Sequence, residues 1–565
     1  MTGEMKKYIR LFVIAILGVS ASACDFLTLD ESVYTTKEYQ FAYFETTKQV
    51  CTNVYSYLQS GFAGVEGTMR ECATDDADYA WEKGGIKRYY DGTWNSIYPI
   101  DDVWAHYYAG IAAANYFLEN CPEDFPESIY TTEYNDNKKQ LDLFPYEVRF
   151  LRAYFHFELL KRYGNIVIVE KSLGMDEANA VKQSSFEEVA AWIVSECDAA
   201  AAKLPVTYAD TYNKELGRAT KGAALALKAR VLLYAASPLN NPTADKSKWE
   251  DAAVAAKDVM DMNVYSLIQE EIFNNPDAVD LIMGIRYADD ASFEAANFPM
   301  GYFGGNSGVN PSQNLAEAFD LIDGTPFDYD KHKDYLFDAG MRDPRFAKTV
   351  LCYGADFKET RIYSHIGGPN GLPLEGATRT SYYLRKFIQI ETSFLSNGSV
   401  FPHCWPLFRY AEVYLNYAEA LYNATGNRDF KGSLGGENFT TSPLEAVNAV
   451  RQRAGVGEIP ATESAAIFLE RVHKERRVEL AFEDHRYWDI RRWKQADKCR
   501  EIYGLTINAD KVVEGDEENP VVSYNLKSVE KKLIRTNYWD DKMYYYPIPR
   551  TEVFKNQGLV QNQGW

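Results

Sequence analysis

Residues 220–237 read TKGAALALKARVLLYAAS and are closed by Pro238. Wound at 3.6 residues per turn, the stretch puts Leu227, Val231 and Tyr234 on one side, and Gly222, Ala226, Ala229 and Leu233 on another. Small residues let a neighbouring helix approach closely, and large ones fill the gap opposite, so the pattern predicts a helix with partners on two sides. The flanks continue it. Upstream, Ser184-x-x-Glu187 reads as a capping box, and Phe186, Val189, Ile193, Val194, Cys197 and Leu204 follow one helical face up to Pro205. Downstream, residues 248–260 carry Trp249, Ala252, Ala253, Ala256 and Met260 on one stripe. Helices of this kind stack in pairs, and the W…A…A spacing is like a tetratricopeptide unit without its full signature.

The same grammar returns later. Ala411, Tyr414, Leu415, Ala418, Leu421 and Tyr422 form a stripe ending near Gly426. Ser442-Pro443-x-Glu445 opens another helix with Pro at its first position, and residues 462–483 form a third. Residues 39–60, 101–120 and 145–163 also read as helical. Roughly eight helices that pair are expected, in two interrupted groups. Between the groups, residues 265–402 are rich in Gly, Asn, Asp and aromatics, and Gly301–Gly308 is their most loop-like part. Residues 70–99 are a second irregular stretch. The expected fold is mainly α, a helix-pair superhelix with long irregular insertions and short strands that carry the ligand-binding face. An N-terminal region (24–264) and a C-terminal region (265–565) are expected to merge into one globule.

A chain of 565 residues with 46% hydrophobic and 25% charged residues buries a sizeable core and is not a disordered one. Its formal charge of −21 argues against a nucleic-acid partner, which needs a clustered positive surface. Aromatic residues reach 14%, with 41 Tyr and 10 Trp, more amphipathic rings than a core alone calls for. The first 23 residues read as a leader: Lys6, Lys7 and Arg10, then the apolar run Leu11–Val19, then Ser20-Ala21-Ser22-Ala23 before Cys24. That run is too short to span a bilayer. A small-residue site ending at Cys reads as a bacterial lipobox, although Ala21 stands where Leu is usual, so Cys24 is the expected lipidation site. The alternative is an ordinary secretory leader; both export the chain. The remaining cysteines (51, 72, 121, 197, 352, 404 and 499) contain no C-x-x-C pair, which leaves a zinc site unsupported and reads as core thiols.

Eight ordered blocks resemble the SusD/RagB outer-membrane lipoproteins of Bacteroidetes, and the likeness runs along essentially the whole chain. Cys24-Asp-Phe-Leu resembles the family opening, and Trp104-x-x-x-Tyr108-x-x-Ile111-x-x-x-Asn115 its early helix. Arg149-Phe-Leu-Arg-Ala-Tyr154 through Tyr163-Gly164 matches the next block, with Val167 where Pro is usual. Gly222 to Tyr234, Arg409 to Ala420 and Val450 to Gly455 are similar in turn. Glu475-Arg-Arg-Val-Glu-Leu-Ala-Phe-Glu-Asp-His-Arg-Tyr-Trp-Asp-Ile-Arg-Arg-Trp493 is the most distinctive, with Asp484 where Gly is common; Tyr546-Pro-Ile-Pro549 and Gln561-Asn562 end the series. The resemblance implies about four tetratricopeptide-like helix pairs. It further implies a surface-exposed, lipid-anchored outer-membrane protein that binds glycan (in some relatives peptide) and serves a SusC-like TonB-dependent transporter as a lid. It implies no enzymatic activity.

Within the Glu475–Trp493 block, Glu479 and Glu483 lie one helical turn apart, a spacing that could suit acid–base cleavage of a glycoside. Interleaved arginines argue otherwise, because guanidinium groups hold carboxylates ionised. Arg476, Glu479, Glu483, Arg486 and Asp489 are therefore expected to form a structural ion network. H-E-x-x-H, G-x-x-x-x-G-K-[ST] and G-x-S-x-G are all missing from the sequence. Asp75, Asp76 and Asp78 lack the Gly and distal Glu of a calcium loop and read as a solvated acidic turn, so a structural calcium has no support and no cofactor is expected. A sugar needs a ring to cover its C–H face and polar groups for its hydroxyl rim. Trp81, Tyr89, Tyr90 and Trp94 beside Asp76, Arg88 and Asn95 offer both, and the resemblance adds Tyr302, Phe303 and Asn306 from the central insertion. His403 and Trp405, between Pro402 and Pro406, read as a packed loop.

Overall fold

The structure is a computed structural model that describes residues 36–81, 84–125, 132–209, 214–268, 275–515 and 521–565; the leader and Cys24 lie outside them. The helix read from residues 220–237 spans Lys221–Ala236. Thr220 caps it, its hydroxyl accepting from the Ala223 N–H at 3.2 Å, and the Ser237 hydroxyl closes it by donating to the Leu233 carbonyl at 2.6 Å. Gly222 is there for space: a Cβ would sit 2.0 Å from the Tyr265 hydroxyl.

Nine helices of twelve residues or more order the described chain: α1 (Phe44–Tyr55), α2 (Trp104–Asn120), α3 (Tyr134–Tyr163), α4 (Phe186–Ala201), α5 (Lys221–Ala236), α6 (Lys246–Met260), α7 (Tyr410–Thr425), α8 (Pro443–Ala454) and α9 (Phe468–Glu479). They pack as α2 on α3, α4 on α5, α6 on α7, and α8 with α9 against α7, each pair resting on the next. The four-pair expectation therefore holds, with one addition. The third pair is made from helices on either side of the central insertion, which fuses two sequence groups into one superhelix. A single apolar cluster runs from Phe44 to Leu559 through it.

Strands then fix the insertion. β2 (Leu281–Asp290) enters it and β4 (Phe401–Arg409) leaves it, paired antiparallel from Leu281↔Arg409 to Asp290↔Phe401. β4 leads directly into α7, so His403 and Trp405 are buried strand residues rather than a loop. β1 (Ala77–Tyr79) pairs with β3 (Val309–Pro311), which joins the early irregular stretch to the central one. β5 (Glu501–Glu514) and β6 (Val521–Thr536) form a long hairpin that packs Ile502, Leu505, Ile507 and Val529 inward.

Three local expectations need correction. The first capping box is one residue on, at Ser185 and Glu188, because Ser184 is held by the Ile166 carbonyl at 2.8 Å. α3 starts eleven residues before Pro145, which lies inside the helix; burial of both its sides outweighs the one rung that Pro removes. The β5–β6 hairpin was not foreseen. The Ser442–Glu445 box, in contrast, forms as read. The seven cysteines are all free thiols and five are buried.

His156 in α3 carries a consequence for stability. Its Nδ1 meets the Arg152 carbonyl at 2.8 Å, and its Nε2 accepts from the Val169 N–H at 3.2 Å, an arrangement that only the neutral ring allows. Burial pushes its pKa down to about 4. The unfolded ring titrates near ~6.5, so between the two values the unfolded chain binds more protons and stability falls as pH falls. Urea unfolding at pH 7 and pH 4 is expected to show a loss on the order of 3 kcal/mol that His156→Gln lacks. Equal losses in both proteins would remove His156 from that account.

Candidate functional site

β1 and β3 decide which irregular segments meet. Their register puts Tyr79 opposite Val309, and the Ala80 N–H reaches the Gly308 carbonyl at 2.9 Å. Trp81 therefore arrives beside the Gly301–Gly308 loop, and its indole N–H donates to the Asn306 carbonyl at 2.8 Å. The ring also lies against Gly376, where a Cβ would fall 2.7 Å from it. Two glycines let the loop nest. Gly301 and Gly304 have φ of +93° and +78°, and a Cβ on either would collide with the Pro369 carbonyl or the Phe394 ring. The Asn370 amide donates to the Met300 carbonyl at 2.8 Å. Tyr302 shares a 2.6 Å hydrogen bond with the Thr360 hydroxyl and stands edge-on to Phe357 at 4.8 Å.

The outcome is a face built from half-buried Trp81 and Tyr302, with Phe303 exposed by 73% and Leu395 by 69%. Lys358, Glu359, Thr360 and Arg361 form an exposed polar turn beside it. Rings for an apolar face and polar groups for a rim are thus together. Beneath lies an ion pair that sequence reading placed in solvent: Asp78 is fully buried between Arg379, at 2.8 Å, and Arg535.

The other early candidates are not on this face. Trp94 is 2% exposed, packed among Tyr89 at 5.5 Å, Tyr546 at 5.2 Å and Trp565 at 4.6 Å. Tyr89 is buried and bonds the Tyr546 hydroxyl at 2.6 Å. Tyr90 lies under the Arg535 guanidinium at 3.6 Å. Arg88 is spent on the Tyr98 and Pro99 carbonyls and on Glu66, and the Asn95 side chain caps its own turn at Ile97 and Tyr98. Asp76 is fully buried on Arg477 at 2.6 Å, and Asp75 on Arg486 at 2.9 Å, so the acidic turn is not solvated. Tyr89 and Trp94 are covered by the C-terminal residues Tyr546 and Trp565, Tyr90 by Arg535, and Asp75 and Asp76 by arginines of the Glu475–Trp493 block, and no local pattern shows that. Conversely Leu395, Phe394 and the 358–361 turn were missed, because a lone ring or a short charged turn has no periodicity to mark it.

Glu479 and Glu483 lie in the interior. Glu479 accepts from Arg345 at 2.7 Å, from Arg409 at 2.6 Å and from Arg453; Glu483 accepts from Lys386 at 2.7 Å and Arg409 at 2.6 Å. Burial alone would push the Glu479 carboxyl up, but Arg453, Arg409 and Arg345 hold it well below the usual carboxylate range. Arg476 holds Asp489 at 2.7 Å, and Asp489 also receives Arg492 at 2.8 Å. Among the described residues no group of His, Cys, Asp and Glu suits a metal, and no helix is long and apolar enough to cross a membrane.

Two stability outcomes follow. Trp94→Ala is expected to cost about 3–5 kcal/mol in urea unfolding, the loss of a large core ring. Glu479→Gln, which removes one carboxylate charge from the buried cluster and leaves Arg453 without its nearest carboxylate partner, is expected to cost a similar 3–5 kcal/mol. A midpoint unchanged in either variant would contradict its placement.

Comparison with known proteins agrees with this architecture. Residues 26–233 match a family model described as starch-binding associating with outer membrane. A SusD-like protein of Formosa agariphila is 25% identical over 437 residues, 71% of this chain and 74% of that one. A SusD-like protein structure from Bacteroides fragilis superposes with a TM-score of 0.73 at 25% identity, covering 93% of this chain and 98% of the other. A second structure from that organism, titled a SusD-like carbohydrate binding protein, gives 0.69 at 27% identity over 92% and 99%. With residues 277–565 matching the SusD family model as well, the chain belongs to the SusD family.

Proposed function

We propose that the protein is a non-enzymatic, glycan-binding lipoprotein of the outer membrane, anchored through Cys24, that captures oligo- or polysaccharide and passes it to a SusC-like TonB-dependent transporter. The observation that carries the reading is the face where Trp81, Tyr302, Phe303 and Asn306 converge from two distant segments. Surface rings of this kind, half-buried or exposed, cover the C–H face of a sugar, and the neighbouring Thr360, Arg361 and Asn306 side chains exchange hydrogen bonds with its hydroxyls. Family membership supports it, as does the carbohydrate-binding title of the Bacteroides fragilis relative.

Glu479 and Glu483 give no support to glycoside cleavage. Every carboxylate oxygen of the two is already taken by a cation, and a general acid needs a raised pKa, the reverse of the Glu479 setting. A face this open holds a single sugar segment weakly, in the mM to µM range of about 4–8 kcal/mol, and many such contacts along a polymer offset that weakness.

Affinity electrophoresis of the soluble form that begins at Asp25, through gels containing single polysaccharides, tests the reading. Retardation is expected in one or a few gels, and Trp81→Ala and Phe303→Ala should each weaken it roughly tenfold, or about 1.4 kcal/mol. Folded protein that migrates freely in every gel would overturn it and favour peptide capture.

A further inference from the structure

Five parts of the chain meet around an interior pocket of about 50 Å³. Tyr107 comes from α2, Tyr154 and Lys161 from α3, Arg230 from α5, Trp405 from β4, and His485 from the Glu475–Trp493 block. The pocket opens toward Gln59 and Ser60, after α1, where Gly61 lies so close to the Trp405 ring that a Cβ would fall 2.3 Å from it. At ~10–15 Å³ per water-sized probe it admits only a few atoms. It falls well short of the ~300 Å³ at which pockets for sugars and other organic ligands begin.

Its walls are rich in donors that nothing in the protein answers. Tyr154 is 4% exposed, and Tyr107 and Trp405 are less so. Neither hydroxyl, nor the Trp405 indole N–H, has a hydrogen-bond partner among the described residues. None of the three is sealed in packing, and all open on the pocket. Arg230 gives Nε and Nη2 to Glu412, at 2.7 and 2.5 Å, and Nη2 also to the Leu407 carbonyl at 2.6 Å, which leaves Nη1. Arg476 donates to Nδ1 of His485 at 3.2 Å. Burial first, and then Arg476 and Arg230, push the His485 pKa well below the usual imidazole range, so the ring is neutral and its proton is on Nε2. The buried Lys161 ammonium is paired with Glu158 at 2.8 Å and keeps further N–H groups to give.

The acceptors, in contrast, are already used. Glu158 receives Lys161 and, at 2.6 Å, Arg162; burial would raise its carboxyl, but the two cations bring it down to about 2. Asp484 receives Arg70 at 2.7 Å and the Trp488 indole at 3.2 Å, and Glu483 receives Lys386 and Arg409. Behind the wall Asp101 pairs with Arg70 and Arg162. Fixed charge thus balances nearly pair by pair, and what is left over is hydrogen-bond donors. Buried donors without acceptors cost free energy, and ammonium, guanidinium and indole N–H groups cannot accept. A water molecule among them must still place two hydrogens of its own. An anion accepts from all of them and has none to place.

We infer that this pocket binds one small monovalent anion of the halide class, held by Lys161, Arg230, His485, Trp405, Tyr107 and Tyr154. The volume shuts out larger anions, and the balanced fixed charge disfavours a divalent one. The ion ties α2, α3 and α5 to the strand that leads out of the insertion and to the Arg-rich block.

Thermal unfolding of the full chain in detergent, at fixed ionic strength while sodium chloride replaces sodium gluconate, tests the site. Gluconate is too large for the pocket, so the midpoint is expected to rise with chloride and to saturate. Tyr107→Phe with Tyr154→Phe keeps both rings in their packing and removes two donors, so half-saturation should move to at least tenfold more chloride. A midpoint indifferent to chloride, or a rise that the double variant follows at the same concentrations, would overturn the inference. If the double variant does not fold, bromide-soaked crystals of the unaltered protein decide. An anomalous peak within hydrogen-bond reach of Lys161 and Tyr154 is expected, and a pocket without one counts against the site.

Discussion

Glu479 is where the molecule is tied together. It sits at the end of α9, yet its three guanidinium partners come from the insertion (Arg345), from the last residue of β4 (Arg409) and from the end of α8 (Arg453). Glu483 repeats the motif four residues on, with Lys386 of the insertion and Arg409. Asp320 of the insertion completes the clamp by receiving Arg451, Arg471 and Lys474. The insertion has little secondary structure with which to hold itself, so its position rests on these pairs and on β2–β4. Such a network adds little net stability over an apolar core of the same shape, but removing one member leaves the others charged and dry. Its contribution is therefore placement: a loop segment bound by several directional contacts has one seat, where an apolar contact alone would allow several.

Placement matters because the scaffold is a stack. α6 and α7 are separated by the whole insertion in sequence and are neighbours in space, so the insertion must leave and return at the same point of the superhelix. β2 and β4 satisfy that requirement by running antiparallel side by side, and the direct passage of β4 into α7 sets the direction of the exit. The Asp75–Asp78 segment is drawn to the same place from the other side, through Arg477, Arg486, Arg379 and Arg535. Two irregular regions thus meet because each is bonded to the same Arg-rich block, and β1 and β3 pair where they meet.

What the sequence shows and what it hides divides along this line. Helix pairs were legible because each needs only its own periodicity: residues 220–237 and the Ser442 box form nearly as read. The ion block was legible as a network, since five charged residues of both signs within one short stretch have few other uses. Its distant partners were not, because Arg345, Arg409 and Asp75 lie far from it in sequence. Three of the four early aromatics, Tyr89, Tyr90 and Trp94, were hidden for the same reason: the residues that cover them are distant in sequence. Trp81 and Trp94 look alike locally, with polar neighbours and turns on both sides. One meets Gly376 and the Asn306 carbonyl and stays at the surface, while the other is covered by Tyr546 and Trp565. The β5–β6 hairpin was passed over because its outer half is exposed on both faces, so only its inner half alternates.

The surviving rings also differ in how they are held, and that bears on what the face can do. Trp81 is fixed by an indole hydrogen bond and a glycine beneath it, and Tyr302 by Thr360 and the edge of Phe357. Neither ring must surrender much freedom when it meets a ligand, so little of the contact free energy is spent on ordering. Phe303 projects further, exposed by 73%. Two braced rings beside an exposed third place several stacking surfaces on one side of the molecule.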